Sequence, residues 1–268
     1  MPAEMASEKE LGISGKFAIE KFGIDKFNDH CRKSVMKYTH EWESYVTRQA
    51  RWVDFKNDYK TMDINYMESV MWAFKNLYDK GLVYESFRVM PYSWAMETPV
   101  SNFETRMDNS YRERTDKAVY VAFELERPPE GAPKAEKYFM LAWTTTPWTL
   151  PSNLALAISE EPKITYRYFF SQKNAYICTT WLPENVRKLF DEDNQVIMLS
   201  GKFLTGLEYK PLFPYFKDTP NAFKILAADF IEEGSGTGVV HLAPGFGEDD
   251  QRVCEQNNIS IVCPVDNS

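Results

Sequence analysis

The sequence predicts a mixed α/β fold of the α+β kind, in which a helix-rich first third precedes a mostly β domain. Up to about residue 88, apolar residues recur at steps of three and four, as on one face of an amphipathic helix. After Gly81 short apolar, β-branched runs alternate with turn residues, which is typical of strands. The chain has 268 residues, of which 44% are hydrophobic and 15% aromatic. It can therefore bury a sizeable core, and general disorder is excluded.

Two helices are predicted in the first third. The first begins at Asp25, a residue type suited to the N-cap, and continues to about Arg51. The second follows Asp63 and ends at Gly81. Its apolar face, which we expect to point inward, consists of Met67, Val70, Met71, Phe74, Leu77 and Tyr78.

Eight strands and two short helices are predicted in the remainder. The strands are Val119–Leu125, Tyr138–Trp143, Ile164–Phe170, Ala175–Thr180, Val196–Leu199, Ile225–Ile231, Gly238–Leu242 and Ile259–Val262. The helices are expected over Pro183–Asp191 and from Glu248 to Asn257. The segment Pro128–Lys137 is rich in Pro, Glu and Lys, so we expect an exposed hairpin loop there.

Charge and hydropathy argue against several classes of protein. A net charge of −8 is unusual for a general nucleic-acid binder, although a local basic patch would still permit weak, salt-sensitive binding. No apolar run approaches the ~20 residues that cross a bilayer. The N-terminus lacks the basic start and apolar core of a signal peptide. We therefore expect a cytoplasmic protein that does not contact membranes.

The cysteines and histidines give no sign of a metal site. The four cysteines are far apart and form no C-x-x-C pair, so we expect free thiols rather than zinc or redox chemistry. His30 and His40 lie on the first predicted helix without partners at ligand spacing, and we interpret them as surface or packing residues.

Three consecutive threonines, Thr144, Thr145 and Thr146, follow a predicted strand and precede Pro147. The proline disfavours helical backbone at Thr146. Hydroxyls and exposed amides at a strand end can bind a polar ligand through several hydrogen bonds. Threonine also suits strands in general, so a plain strand edge is the other interpretation, and residue types alone favour it.

A second notable segment runs from Gly234 to Asp250. It begins with glycines, but no Lys-Ser/Thr follows them, which argues against a phosphate-binding P-loop. His241 ends a predicted strand. Asp250 lies at a predicted helix start, so it is either a helix-start residue or an ionised ligand for a cation. A nucleophilic triad is disfavoured, because no G-x-S-x-G elbow and no obvious base for a threonine are present.

The motifs WTTTPWTLPSN (143–153) and, about ninety residues later, GTGVVHLAPGFGEDD (236–250) resemble the paired editing-site motifs of isoleucyl-tRNA synthetases. The leucyl and valyl enzymes carry Thr-Thr-Arg-Pro where Thr146 precedes Pro147 here, so the resemblance is specific. The segments Asp58 to Glu85 and Val89 to Glu104, and the final CPVDNS, are similar to the cytosolic eukaryotic-type enzymes. The resemblance therefore spans nearly the whole chain.

The resemblance implies that residues 1–88 are a helical piece of the class I Rossmann catalytic domain. Residues 89–268 would be a β-barrel-like editing domain, truncated at its C-terminal end. The HIGH and KMSKS signatures of amino-acid activation are absent, so we expect no aminoacylation from this chain alone. The implied function is post-transfer proofreading, the hydrolysis of valyl-tRNA(Ile), within an ATP-dependent isoleucine–tRNA ligase.

The implied partners are the aminoacyl end of tRNA(Ile) and, as edited substrates, valine or valyl-adenylate. We expect no cofactor for editing, ATP and Mg²⁺ for the full-length synthetase, and a monomer. The segment Arg88–Glu104 has no cysteines where many bacterial relatives hold zinc, so no metal is expected.

Seven site residues follow from matching the motifs. Asp250, expected to be exposed and ionised, would pair with the α-ammonium group of the substrate. Thr144, Thr145 and Thr146 would line the ester and the terminal adenosine. An ordered water is the expected nucleophile, with no covalent intermediate.

Trp148 and His241 would bound the pocket for the amino-acid side chain, and Asn153 would support the loop. We prefer His241 as a steric gate that excludes the extra methyl group, over His241 as a general base.

Two alternatives stay open. One is a non-hydrolytic tRNA- or amino-acid-binding module, against which the intact Thr144–Thr146, His241 and Asp250 argue. The other is a freestanding trans-editing deacylase, which would not need the catalytic-domain residues before Gly81.

Overall fold

The computed structural model describes residues 2–93, 95–96, 98–191, 197–232, 234 and 236–265. The chain divides into two compact units, residues 1–85 and 86–268. The first unit is helical and the second contains the strands, so the predicted mixed α/β class is confirmed. Within the described residues, no helix is long and apolar enough to cross a membrane.

The first unit contains five helices among its described residues: α1 (Pro2–Leu11), α2 (Lys16–Phe22), α3 (Ile24–Val35), α4 (Thr39–Arg48) and α5 (Ile64–Asp79). The predicted single helix from Asp25 to Arg51 is wrong, because it breaks between α3 and α4. There the Thr39 hydroxyl donates to the Met36 carbonyl (3.0 Å), a local bond that competes with continuation of the helix. Asp25 is not the N-cap either. Gly23, with φ of 109°, caps α3 and places Asp25 in its first turn.

The second predicted helix is confirmed as α5, which follows Asp63 and stops before Gly81. The prediction that its apolar face points inward is wrong for this chain. The side chains of that face, from Met67 to Tyr78, are 42% to 69% exposed. An amphipathic pattern specifies a helix, but burial needs a second surface to pack against.

Among its described residues, the second unit contains eight further strands and three helices after a short N-terminal hairpin. The hairpin is β1 (Tyr92–Ser93) and β2 (Thr98–Pro99). The other strands are β3 (Val119–Glu124), β4 (Tyr138–Thr144), β5 (Ala155–Ile158), β6 (Thr165–Ser171), β7 (Asn174–Thr179), β8 (Met198–Ser200), β9 (Lys224–Ala227) and β10 (Val240–Leu242). The helices are α6 (Asn102–Thr105), α7 (Glu184–Arg187) and α8 (Glu248–Gln256), and 3₁₀ turns cover Pro147–Ser152 and Gly201–Phe203.

Two larger sheets enclose the main core of this unit. One has the order β3-β4-β7-β6-β8 and the other the order β10-β5-β9. Pairs β4–β7 and β5–β9 are parallel and the other pairs are antiparallel. Isolated bridges from Leu125 to Tyr209 and from Glu208 to Lys224 connect the sheets. Among the described residues the sheets do not close into a barrel, so the barrel-like form expected from the resemblance is an open one.

Most predicted strands are confirmed, with two errors and three omissions. Ile259–Val262 is not a strand, because Asn258 turns with φ of 56° and the Ile259 N–H donates to the Cys254 carbonyl, closing the end of α8. Strand β9 ends at Ala227 rather than at Ile231. The predictions missed the two-residue strands β1 and β2. They also missed β5, whose four residues are all fully buried and show no alternation.

Smaller differences concern element ends. The predicted strand Val196–Leu199 appears as β8, with Val196 itself outside the described residues. The predicted helix Pro183–Asp191 shortens to α7, because the Asp191 N–H donates instead to the Phe170 carbonyl of β6 (2.7 Å). The predicted helix from Glu248 is confirmed as α8, and Pro128–Lys137 connects the antiparallel pair β3–β4 as the predicted hairpin loop.

Candidate functional site

Two segments distant in sequence meet around strand β5. We call residues 144–153, between β4 and β5, the threonine loop. Strand β10 pairs antiparallel with β5, so that His241 lies opposite Leu156. Because β5 directly follows the threonine loop, this pairing brings His241 to the loop.

The threonine loop is folded by its own hydroxyls. The Thr146 N–H donates to Thr144 Oγ1 (3.1 Å), and the hydroxyls of these two threonines are 3.3 Å apart. The Thr149 N–H and hydroxyl both donate to the Thr146 carbonyl, at 3.1 and 2.8 Å. These bonds start the 3₁₀ turn and hold Thr146 at its N-terminal end.

Thr149 and His241 form a buried hydrogen bond, with 3.0 Å between Thr149 Oγ1 and His241 Nε2. The Thr149 hydroxyl donates its hydrogen to the Thr146 carbonyl, so the imidazole Nε2–H must be the donor in the bond to Thr149. This hydrogen-bond network assigns the tautomer that is protonated at Nε2. His241 Nδ1 is then an unprotonated acceptor, buried without a partner among the described residues. Burial lowers the pKa of His241 to about 4, so the ring is neutral near pH 7.

Asp250 lies in the first turn of α8, where its Oδ2 accepts a hydrogen bond from the Ala243 N–H (2.8 Å). It is half-buried, so the expectation of an exposed carboxylate is wrong. Burial raises its pKa to about 6, and the neighbouring charge of Asp249 acts in the same direction. It is nevertheless mostly ionised at neutral pH. A Cβ on Gly247 would lie 2.8 Å from the Asp250 carboxyl carbon, so the glycine leaves room for the carboxylate.

The structure brings some of the predicted site residues together and leaves others exposed to solvent. Thr144, Thr146 and His241 share one hydrogen-bonded cluster, and Asp250 is tied to the end of β10 through Ala243. The side chains of Thr145 and Trp148 are exposed, the latter by 62%.

Asn153 is buried beneath the loop. Its Nδ2 donates to the Ala155 carbonyl (2.9 Å), and its Oδ1 accepts from the Tyr209 hydroxyl (2.6 Å). This contact suits a supporting role for Asn153.

Sequence reasoning missed Thr149 and Tyr209. Thr149 lies within the quoted motif three residues after Thr146, a spacing that a helical turn brings together. No local pattern marks Tyr209, which acts across 56 positions. Among the described residues no group of three or more His, Cys, Asp or Glu is placed to hold a metal ion.

Comparisons with known proteins agree with the motifs. Residues 1–201 match the family of class I tRNA synthetases (I, L, M and V). The chain is 63% identical to the isoleucine–tRNA ligase of Rickettsia conorii over 272 residues, covering all of this chain and 25% of that protein. For the enzyme of Rickettsia prowazekii the identity is 58% over 285 residues, covering all of this chain and 26% of that protein. The chain thus spans about a quarter of the length of these curated relatives. They are bacterial proteins, so the expected eukaryotic-type subgroup is not supported.

Two solved structures are similar to part of the chain. The editing domain of the Plasmodium knowlesi cytosolic leucyl-tRNA synthetase has 14% identity and a TM-score of 0.39, covering 53% of this chain and 67% of that one. The structure titled GlLeuRS-CP1 has 19% identity and a TM-score of 0.38, covering 48% and 53%.

Proposed function

We propose a function from the family to which this chain belongs, the class I tRNA synthetases of the I, L, M and V group. In this proposal the second unit hydrolyses the ester bond between valine and mischarged tRNA(Ile). Relatives that match the whole chain carry the name isoleucine–tRNA ligase. Residues 1–88 are then a piece of the catalytic domain and residues 89–268 the editing domain. The two compact units divide close to that boundary.

Such a site is needed because valine and isoleucine differ by only a single methylene group. A hydrophobic pocket discriminates valine from isoleucine by only about 1–3 kcal/mol, a limit for which isoleucyl-tRNA synthetase is itself the standard example. A second site that admits the valyl ester and excludes the isoleucyl ester supplies the missing accuracy.

The hydrogen bond between Thr149 and His241 is the observation that carries the proposal, because it joins the two motifs across 92 positions. It fixes the imidazole in one tautomer and orientation. A ring with a pKa of about 4 is a weak general base at neutral pH. A rigid, neutral His241 is therefore better suited to bounding the side-chain pocket, and to excluding one additional methyl group, than to removing a proton.

The other residues have complementary roles in this proposal. Asp250, ionised at neutral pH, pairs with the α-ammonium group of the substrate through a charge-assisted hydrogen bond. Thr144 and Thr146 offer their hydroxyl groups to the ester. Thr145 lines the ester and the terminal adenosine, and the exposed Trp148 bounds the side-chain pocket together with His241. Water positioned by this site attacks the ester carbonyl, the ester C–O bond breaks, and valine and the tRNA hydroxyl are released.

For the whole synthetase we further propose the requirements of its class. ATP and Mg²⁺ serve activation of isoleucine, whereas ester hydrolysis needs no cofactor. The aminoacyl end of tRNA(Ile) is the partner, valyl-tRNA and valyl-adenylate are the edited substrates, and the protein is a cytoplasmic monomer.

Replacing Asp250 with asparagine tests the ammonium contact. The asparagine side chain would retain an acceptor for the Ala243 N–H but lose the charge. A charged hydrogen bond contributes about 1.5–3 kcal/mol, so kcat/KM for valyl-tRNA(Ile) hydrolysis should fall by about 10- to 150-fold. The matched control is Asp249→Asn, whose side chain is 61% exposed on the same helical turn.

The pH profile supplies a second readout of the same group. Wild-type kcat/KM should rise through about pH 6, because the ionised carboxylate is the competent form. Equal hydrolysis by Asp250→Asn and Asp249→Asn would reject the role of Asp250. Tight binding of valyl-tRNA without hydrolysis by the wild type would favour the binding-module alternative.

Replacing His241 with alanine tests the gate. The variant should hydrolyse isoleucyl-tRNA(Ile), which the wild type spares, because the wall against the extra methyl group is gone. His40→Ala, on α4, is the matched control, since that side chain is 96% exposed. Unaltered protection of isoleucyl-tRNA in His241→Ala would place the gate elsewhere.

A further inference from the structure

Strand β5 occupies a central place in the candidate site. It follows the threonine loop without an intervening element, and it pairs with β10, which carries His241. All four of its residues, from Ala155 to Ile158, are completely buried. The position of β5 therefore determines the geometry between Thr149 and His241.

A buried tyrosine hydroxyl holds the N-terminal end of β5. Tyr209 is 1% exposed and donates to Asn153 Oδ1 at 2.6 Å. Asn153 in turn donates to the carbonyl of Ala155, the first residue of β5, at 2.9 Å. Tyr209 comes from the segment that bridges Leu125, directly after β3, and Lys224 of β9.

A second buried tyrosine hydroxyl holds the C-terminal end. The N–H of Ser159, which follows β5, donates to the Tyr166 hydroxyl at 2.9 Å. That hydroxyl donates to the Gly238 carbonyl, also at 2.9 Å, two residues before β10 begins. Tyr166 belongs to β6 of the five-stranded sheet and is fully buried. It therefore links the end of β5 to the approach of β10.

We propose that Tyr209 and Tyr166 are positioning residues for the editing reaction. Acting through the two ends of β5, they fix its register against β10 and so hold Thr149 and His241 at hydrogen-bonding distance. A slip of one residue would turn His241 to the opposite face of its sheet. The inference rests on the proposed function, and neither tyrosine touches the reacting atoms.

The test compares three tyrosine-to-phenylalanine variants of the full chain. Tyr209→Phe and Tyr166→Phe each remove one of the two hydroxyls that hold the ends of β5, and we call them the clamp variants. Tyr168→Phe is the matched control, because Tyr168 lies on β6 and is 2% exposed, and its hydroxyl forms no hydrogen bond with another described residue. Hydrolysis of valyl-tRNA(Ile) and isoleucyl-tRNA(Ile) is measured below the melting temperature of each variant.

We expect the two clamp variants to lower kcat for the valyl ester on the order of ten- to a hundredfold, because small displacements at a reacting centre cost that much. KM should stay near the wild-type value, and the preference for valyl over isoleucyl ester should decrease. Tyr168→Phe should retain the wild-type kcat and preference. A lower melting temperature with unchanged kcat and preference in the clamp variants would show a purely structural role and overturn the inference.

A double-mutant cycle tests the route through the asparagine. If Tyr209 acts through Asn153, adding Tyr209→Phe to Asn153→Ala should cause little further loss of kcat. If the fold-loss of kcat in the double variant equals the product of the two single-variant losses, the route through Asn153 is overturned.

Failure of the proposed function is distinguishable, since it would appear as a wild-type chain without deacylase activity. In that case the positioning of β5 and β10 by Tyr209 and Tyr166 is tested by amide hydrogen exchange at residues 155–158 and 240–242. Exchange there should be faster in Tyr209→Phe and Tyr166→Phe than in Tyr168→Phe, and equal exchange in all three would overturn the inference.

Discussion

The two compact units both contain helices or strands with clear apolar faces, yet they differ in how much of that surface is buried. Among the described residues of the first unit, Phe27 is the only hydrophobic side chain that is buried, and the apolar face of α5 is largely exposed. In the second unit, strand β5 has no exposed side chain at all. The comparison teaches that a periodic pattern specifies the conformation of a segment, whereas its contribution to stability depends on the surface that covers it.

Two leucine-to-alanine substitutions test this difference most strongly. Leu156 on β5 is fully buried, so Leu156→Ala should destabilise the second unit by about 2–5 kcal/mol, through lost transfer energy and a cavity. Leu77 on α5 is 47% exposed, and Leu77→Ala should cost less than about 1 kcal/mol. Urea denaturation followed by circular dichroism measures both. Equal losses would contradict the comparison.

A pair of glycines extends the test to the backbone. Gly81, after α5, and Gly238, before β10, both have positive φ, at 70° and 67°. An alanine at either position costs about 1–2 kcal/mol for the left-handed conformation. A Cβ at Gly81 meets nothing within 4 Å, but at Gly238 it would lie 2.1 Å from Thr179 Cγ2. Gly238→Ala should therefore cost more, about 2–5 kcal/mol in total.

The double variant Gly238→Ala/Thr179→Ser provides the control, because serine lacks the clashing methyl group. It should recover the part of the loss that exceeds the loss in Gly81→Ala. If it recovers nothing, the contact with Thr179 is not the cause.

Two residues of the candidate site, His241 and Asp250, should make opposite contributions to the pH dependence of the free energy of unfolding. The pKa of His241 is lowered from 6.5 to about 4, so its contribution is fully present above pH 6.5 and is lost as the pH falls through 4. The pKa of Asp250 is raised from 3.8 to about 6, so its contribution is fully present below pH 3.8 and is lost as the pH rises through 6. Each effect is about 3 kcal/mol by its pKa change, and they largely oppose each other.

Single substitutions separate the two effects. In Asp250→Asn the free energy of unfolding should rise more steeply between pH 4 and 6.5 than in the wild type, and in His241→Gln it should fall over the same range. His40→Gln, in the first unit, should leave the profile unchanged because the His40 side chain is exposed. Denaturation midpoints across this pH range measure the profiles, and parallel curves for all three variants would refute the assignment.

The same comparison explains what could be predicted from the sequence. Strands β3, β4, β6 and β7 and helices α5 and α8 were recognisable because their patterns and end signals are local. Strand β5 was missed, since a strand buried on both faces shows no alternation and its identity depends on its partners β9 and β10. The exposure of the α5 face was not predictable either, because periodicity does not reveal whether a covering surface exists.

The site divides in the same way. Thr144, His241 and Asp250 were named from their motifs, and the structure connects them through β5, β10 and the start of α8. The roles inferred for Thr149 and Tyr209 depend on contacts across 92 and 56 positions. Such contacts exist only once the sheets have assembled, so no pattern along the chain contains them.

Surface ion pairs should be the smallest contributors, and they should not distinguish the units. Lys75 pairs with Asp79 on α5, and Arg252 pairs with Asp229 at the surface of the second unit, both at 2.7 Å. Exposed pairs of this kind are screened by solvent and salt, and many contribute nothing measurable. Lys75→Gln and Arg252→Gln should both leave the urea midpoint within error of the wild type. A clear loss in Arg252→Gln alone would mean that charge pairing, and not only apolar burial, separates the stabilities of the two units.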